Sequence, residues 1–128
     1  MSPTPSSYAE ILALAEAYSE AVYFARADVF EDMCHPNFMM SLIEDGSATF
    51  WDKASYLERV RGRSAGEGAA SYGIFAVDVA GDEIARVQLW VDVPSLDRYE
   101  DHLGFVKVEG GWKLLTKVFR TLANHEGG

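Results

Sequence analysis

Apolar positions follow two periods along this chain, and the change from one to the other falls near residue 71. Before it they recur every three to four residues. Tyr8, Ile11, Leu12, Ala15, Tyr18 and Val22 stand on one helix face, with Glu10, Glu16 and Glu20 mostly off it. That spacing predicts a helix over 8–26. Ser7 and Glu10 make an S-x-x-E capping box at its start, and Asp28 to Glu31 repeats the pattern ahead of a second, short helix running to Cys34. Pro36 stops that helix, because the residue before a proline is pushed out of the α region. Residues 38–43 predict a strand, and the turn signal Asp45-Gly46 sends 47–51 back antiparallel. Asp52 is placed to cap a third helix. Trp51 and Tyr56 form its hydrophobic staple, and Leu57 and Val60 carry its buried side to about residue 62. Residues 62–69, with glycines at 62, 66 and 68, predict a loop.

Beyond residue 71 the period is 2. Phe75, Val77 and Val79 alternate with Ile74, Ala76 and Asp78, and Gly81-Asp82 turns the chain. Ala85, Val87, Leu89, Val91 and Val93 line one face of the next strand, which Pro94 ends. Residues 99–108 and 112–122 form a last hairpin around Glu109-Gly110-Gly111. The order ααββαββββ, helices early and long strands late, predicts an α+β fold: a bent antiparallel sheet on three helices from the N-terminal half. Residues 8–123 are expected to form one domain, with 1–7 and 124–128 as flexible tails.

A three-residue turn in the last hairpin pairs residues that sum to 220. Val106, Leu114 and His102 then face inward. Leu103, Phe105, Leu115, Asp101, Lys117 and Phe119 face outward, with Trp90 beside them. So large an outer apolar surface predicts a homodimer that buries it.

Charge narrows the function classes. The 128 residues carry 11 Lys+Arg against 20 Asp+Glu, a net charge of -9 shared between the two halves, which disfavours nucleic acid. No run of about 20 apolar residues predicts a membrane span. No basic-then-apolar leader is seen at the N-terminus, and the protein is expected to be cytoplasmic. The lone Cys34 allows no internal disulfide and, beside Glu31 and Asp32, lacks the electropositive setting of a reactive thiolate. The three histidines lack zinc-site spacing, and neither a phosphate loop nor a nucleophile elbow is present. No cofactor or metal is expected.

Candidate chemistry therefore rests on single residues. His102, read as inward, is either a pocket acid/base or ligand donor, or a core histidine satisfied by a carbonyl or water. Asp101 and Lys117 sit diagonally across the hairpin and read as a pocket charge pair or as a cross-strand salt bridge. His35 is placed either at a cavity mouth or as a helix terminator. Trp51, Tyr56 and Tyr18 are either cavity walls or core.

The element order, His35-Pro36 ahead of the first strand, and the stretch from Asp101 through Gly111-Trp112-Lys113 to Lys117-Val118-Phe119 resemble the nuclear transport factor 2-like superfamily. Within it the chain is most similar to the "putative lumazine-binding" (SnoaL-like) group, although His102 stands where that group's pattern has Tyr. The resemblance implies a cone-like fold with a cavity at the wide end, commonly dimeric through the sheet, and no single activity. The function expected is small-molecule binding between helices and sheet. The alternatives are an isomerase, cyclase or dehydratase acting on a small apolar substrate, with His102 as base and Tyr18 or Tyr56 as proton donor, and a non-catalytic partner or regulatory domain.

Overall fold

A computed structural model describes residues 7–122. Of the expected flexible tails, 1–7 and 124–128, all but Ser7 lie outside these residues, and Ser7 itself opens the first helix. The elements are α1 (Ser7–Tyr23), α2 (Ala27–Met33), β1 (Cys34–Glu44), β2 (Ser47–Asp52), α3 (Lys53–Arg61), β3 (Tyr72–Ala80), β4 (Ile84–Asp92), β5 (Arg98–Val108) and β6 (Gly111–Thr121). The predicted order holds throughout. The six strands form one bent, unclosed sheet in the order β2-β1-β6-β5-β4-β3. All neighbours are antiparallel except β1 and β6, so the sheet is not purely antiparallel as expected.

Local chemistry explains most boundaries. α1 ends at Tyr23, three residues early, because Ala25 adopts a left-handed φ of 55°. α2 then begins at Ala27, so Asp28 falls inside its first turn and does not cap it. Ser7 gives its hydroxyl to the Asp82 carboxylate across the β3–β4 turn. Asp52 does cap α3, accepting from the Ser55 amide at 2.9 Å. Pro36 lies within β1, where pairing with β6 is interrupted between Cys34 and Met39; a residue without an N–H is tolerated there because no ladder bond is lost.

One irregularity decides which side chains face the helices. At its open end the last hairpin keeps the expected register, with Asp101 opposite Phe119 and Leu103 opposite Lys117. Between Gly104 and Phe105 it slips, leaving Leu115 unpaired, and Val108 pairs with Gly111 across the two-residue turn Glu109-Gly110. Both turn residues have positive φ, 51° and 82°, the signature of a tight hairpin whose twist matches its strands. The bulge lets Trp112 and Leu114 share the inner face with Lys117 and Phe119, which strict alternation forbids.

The expected faces are therefore reversed for much of the hairpin. Asp101, Leu103, Phe105, Lys117 and Phe119 are buried under the helices, and His102 is exposed on the outside. These inner residues continue the Val87, Leu89 and Val91 face of β4. Opposite them α1 contributes Ile11, Ala15, Tyr18 and Val22, while α2 and α3 add Phe30, Tyr56 and Val60. No described helix is long and apolar enough to cross a membrane.

Candidate functional site

Polar groups are scarce in this core, and those present cluster. Among the described residues the buried polar and charged side chains are Ser19, Asp101 and Lys117. Ser19 is satisfied locally, donating to the Ala15 carbonyl at 2.9 Å. Asp101 accepts a 2.6 Å hydrogen bond from the Tyr18 hydroxyl through Oδ2, and the same oxygen lies 3.7 Å from Lys117 Nζ. That last distance is an ion pair beyond hydrogen-bonding range. Asp101 Oδ1 makes no hydrogen bond within the described chain.

Lys117 is enclosed by aromatic faces instead. Its ammonium sits 4.5 Å from the Phe119 ring centre, 4.9 Å from that of Tyr56 and 5.5 Å from that of Tyr18. Ring quadrupoles attract a cation, but they do not accept its N–H groups as a carboxylate would. Desolvation lowers the Lys117 pKa below the ordinary lysine value, and Asp101 pulls it partly back. Burial and the neighbouring Asp101 charge push Tyr18 well above the ordinary tyrosine value. Burial likewise raises Tyr56. Cys34, behind this cluster, is pushed up to about 11 by burial, which keeps it a thiol.

Asp101 and Lys117 open onto a small cavity of about 30 Å³, room for one water. Val22, Val91, Val93 and Leu42 form its aliphatic walls, and Tyr99 and Phe119 its aromatic ones. Arg59, on the last turn of α3, and Arg63, two residues past that helix, complete the lining. The Arg59 guanidinium stacks 4.7 Å over the Trp51 ring. Arg63 begins the irregular segment that leads to β3. That segment is pinned at its middle, where the Gly66 amide donates to the Tyr23 carbonyl and the Tyr23 hydroxyl donates to the Glu67 carbonyl. A Cβ at Gly66 would run into the Tyr23 ring.

A larger hollow of about 370 Å³ lies on the outer sheet face, lined in part by Arg86, Gln88, His102, Gly104 and Thr116. It forms because Gly104 has no side chain; a Cβ there would meet Thr116 Oγ1. Its charged groups already have partners, Arg86 on Asp78 and His102 on Glu100, so size alone does not make it the candidate site.

The expected site residues divide accordingly. Tyr18, Tyr56, Asp101 and Lys117 converge. Trp51 reaches the cluster from its edge, packing on Phe119 at 6.1 Å. His35 does not line the cavity; its Nδ1 accepts the Asn37 amide at 3.0 Å. His102, expected inside, lies on the opposite face of the sheet, 2.7 Å from Glu100. Arg59 and Arg63 escaped the sequence reading, although Tyr56, Val60 and Arg63 continue the i, i+4, i+7 stripe of α3's buried face. Among the described residues no group of three or more His, Cys, Asp or Glu side chains is arranged to hold a metal.

Comparison with solved structures places this architecture. A nuclear transport factor 2-like protein of unknown function from Silicibacter pomeroyi superposes with a TM-score of 0.82 at 21% identity, covering 94% of this chain and 100% of its own. A second such protein of unknown function, from Shewanella baltica, gives 0.84 at 18% identity, covering 97% and 100%. A ketosteroid isomerase-like protein from Erwinia carotovora gives 0.69 at 16% identity, covering 94% and 99%. At these identities the likeness is one of fold. No curated protein matches the chain in sequence. A family model described as "Putative lumazine-binding" matches residues 6–120, nearly the whole described chain, and on that match the protein belongs to this family.

Proposed function

We propose that the protein binds a small molecule at the cavity between α1, α3 and the inner face of the sheet, in contact with Asp101 and Lys117. One observation carries the reading: a buried carboxylate and a buried ammonium face each other without completing each other's hydrogen bonds. Groups of this kind are costly to bury, and a core serving stability alone does better with apolar residues of similar volume. The family's description and the isomerase-like relative point the same way. The test is thermal unfolding against a panel of pterins, flavins, enones and aromatic acids. A ligand at 100 times its dissociation constant adds about 2.7 kcal/mol, a rise on the order of 10 °C for a domain of this size. The expected hit loses its effect in Lys117→Met. A panel with no shift, or a hit indifferent to that substitution, overturns the reading.

Turnover of the bound molecule is a second reading, favoured by the short Tyr18–Asp101 hydrogen bond. Asp101 Oδ1 would take a proton from a carbon acid, and the Lys117 ammonium would stabilise the enolate left behind. His102 has no part in it, since it faces away. Exchange of substrate C–H for deuterium in heavy water, lost in Asp101→Asn, checks this; exchange that persists in the variant overturns it.

The outer sheet face supports a homodimer, although not through the residues first expected there. Val118, Met39, Ile43 and Ile84 are large apolar side chains left 43–54% exposed on outward strand positions. Light scattering at micromolar concentration is expected to give twice the chain mass, and Val118→Asp to give the monomer. A wild-type monomer sinks the dimer and leaves the cavity reading intact.

A further inference from the structure

In a chain with 20 acidic and 11 basic residues, a basic group without an acidic partner is uncommon enough to need explaining. Arg61, Arg86, Arg98, Lys107, Lys117 and Arg120 each have a carboxylate within 4 Å. Lys53 and Lys113 donate to backbone carbonyls. Among the described residues that leaves three arginines with neither, Arg26, Arg59 and Arg63. Two of the three line the same cavity, where Lys117 also lies and Asp101 is the lone acid. With all four groups ionised the lining carries three positive charges against one negative, the reverse of the molecule as a whole.

From this we infer that the molecule bound at the cavity is an anion, a compact carboxylate or phosphate whose charge is held by Arg59 and Arg63 and whose remaining atoms lie toward Lys117 and the Val91–Phe119 walls. The inference rests on the binding reading above and names the chemical class of that ligand. Guanidinium forks match planar and tetrahedral oxyanions through paired N–H···O bonds, stronger than neutral ones. The ammonium of Lys117, short of acceptors, gains one from the same group or from an adjacent carbonyl. Asp101 Oδ1 accepts from a donor on the ligand, so a hydroxyl or amide N–H next to the anionic group adds affinity. The cavity as it stands holds one water, so binding displaces Arg63 outward. The tether of Gly66 and Glu67 to Tyr23 limits that movement to the stretch between residues 62 and 65.

Matched pairs separate charge from shape: acetate against acetamide, benzoate against benzamide, and inorganic phosphate alone, followed by chemical-shift titration of the full chain. Within the pairs the carboxylate is expected to bind about tenfold or more tightly than its amide, with shifts centred on Tyr18, Lys117 and Tyr99. Arg59→Gln and Arg63→Gln should each remove most of that preference, read as the ratio of carboxylate to amide affinity within each pair. Both arginines are on the surface side of the cavity, so the variants are expected to fold. Phosphate tighter than either carboxylate assigns a phosphoryl ligand, and the reverse order a carboxylic acid. Equal binding within each pair, or a preference that survives both substitutions, overturns the anion assignment while the cavity remains a binding site. No shift at Tyr18 or Lys117 with any probe at 10 mM, about the weakest affinity worth calling binding, overturns the binding reading and this inference with it.

Discussion

The two faces of β5 carry ion pairs one residue apart, and they behave as different kinds of object. Asp101 points inward to Tyr18 and Lys117, its side chain 1% exposed. Glu100 points outward to His102 and Arg120, whose side chains are 48% and 62% exposed. The outer network has the better geometry, with contacts of 2.7 and 2.9 Å against the inner 3.7 Å. Burial outweighs that advantage. Outside, water replaces any partner that is removed. Inside, each charge depends on the groups already there, and a ligand is the one newcomer able to change the balance. Good geometry marks the pair that holds the sheet; poor geometry in a dry place marks the pair with something left to do.

Breaking the inner pair should give the largest effect. Lys117→Met leaves Asp101 buried without its cation and is expected to cost about 3–5 kcal/mol in urea unfolding. The double variant Asp101→Leu with Lys117→Met should recover most of that loss, a coupling that a double-mutant cycle reads directly. If the single and double variants lose stability additively, the two groups are independent and the contrast between faces fails.

Next comes Tyr18→Phe, which removes the one hydrogen bond Asp101 accepts and is expected to cost about 1–3 kcal/mol. The same substitution sharpens the comparison through pH. Tyr18 and Tyr56 have pKa values raised by folding, so the stability they confer is whole below about pH 10, the ordinary tyrosine value, and is lost as pH rises beyond it. Lys117 has the opposite sign. Its folded pKa is lowered, so the unfolded chain holds that proton longer and stability climbs with pH up to the ordinary lysine value of 10.5. Unfolding midpoints followed from pH 8 to 11 should rise and then fall, with a shallower fall in Tyr18→Phe and no rise in Lys117→Met.

The smallest effect belongs to the outer face. His102→Ala is expected to cost no more than about 1 kcal/mol, and less still in 1 M salt. His102 and Arg120 hold the Glu100 carboxyl below the ordinary glutamate value, so their support is present above about pH 4.5 and fades as pH falls through the folded pKa. A loss in His102→Ala as large as that in Lys117→Met would erase the distinction between the faces.

The sequence made the order of elements legible because each boundary has its own chemistry: Asp52 capping α3, Asp45-Gly46 turning β1 into β2, a period of 2 after residue 71. The face assignment was not legible from alternation, since one unpaired residue at Leu115 reverses it for part of a strand. The clue was on the partner strand. Gly104 sits inside an otherwise regular run, and an isolated strand glycine signals a bulge or a close approach; here it is both, with the register slip beside it and Thr116 against it. Missing that signal put His102 in the core and Asp101 and Lys117 outside it. The residue types that matter were nonetheless in view, because Asp101, Lys117, Tyr18 and Tyr56 stand out by chemistry whichever way the strand faces. Arg59 and Arg63 did not, since arginines at the end of a helix read as solvated until the fold shows what lies beneath them.

The position of β6 has a consequence for how the molecule is made. Of the described strands it is the last to leave the ribosome, yet it lies at the centre of the sheet, hydrogen-bonded to β1 on one side and β5 on the other. Until it emerges the nascent chain holds two separate pieces, the β1–β2 hairpin and the β3–β4–β5 meander, each with an unpaired edge where β6 will sit. Closing the sheet joins residues more than 70 positions apart, such as Met40 and Lys117, so assembly is non-local and slow beside that of a helical bundle of equal length. During that interval the open edges are what a chaperone, or a second nascent chain, would meet first.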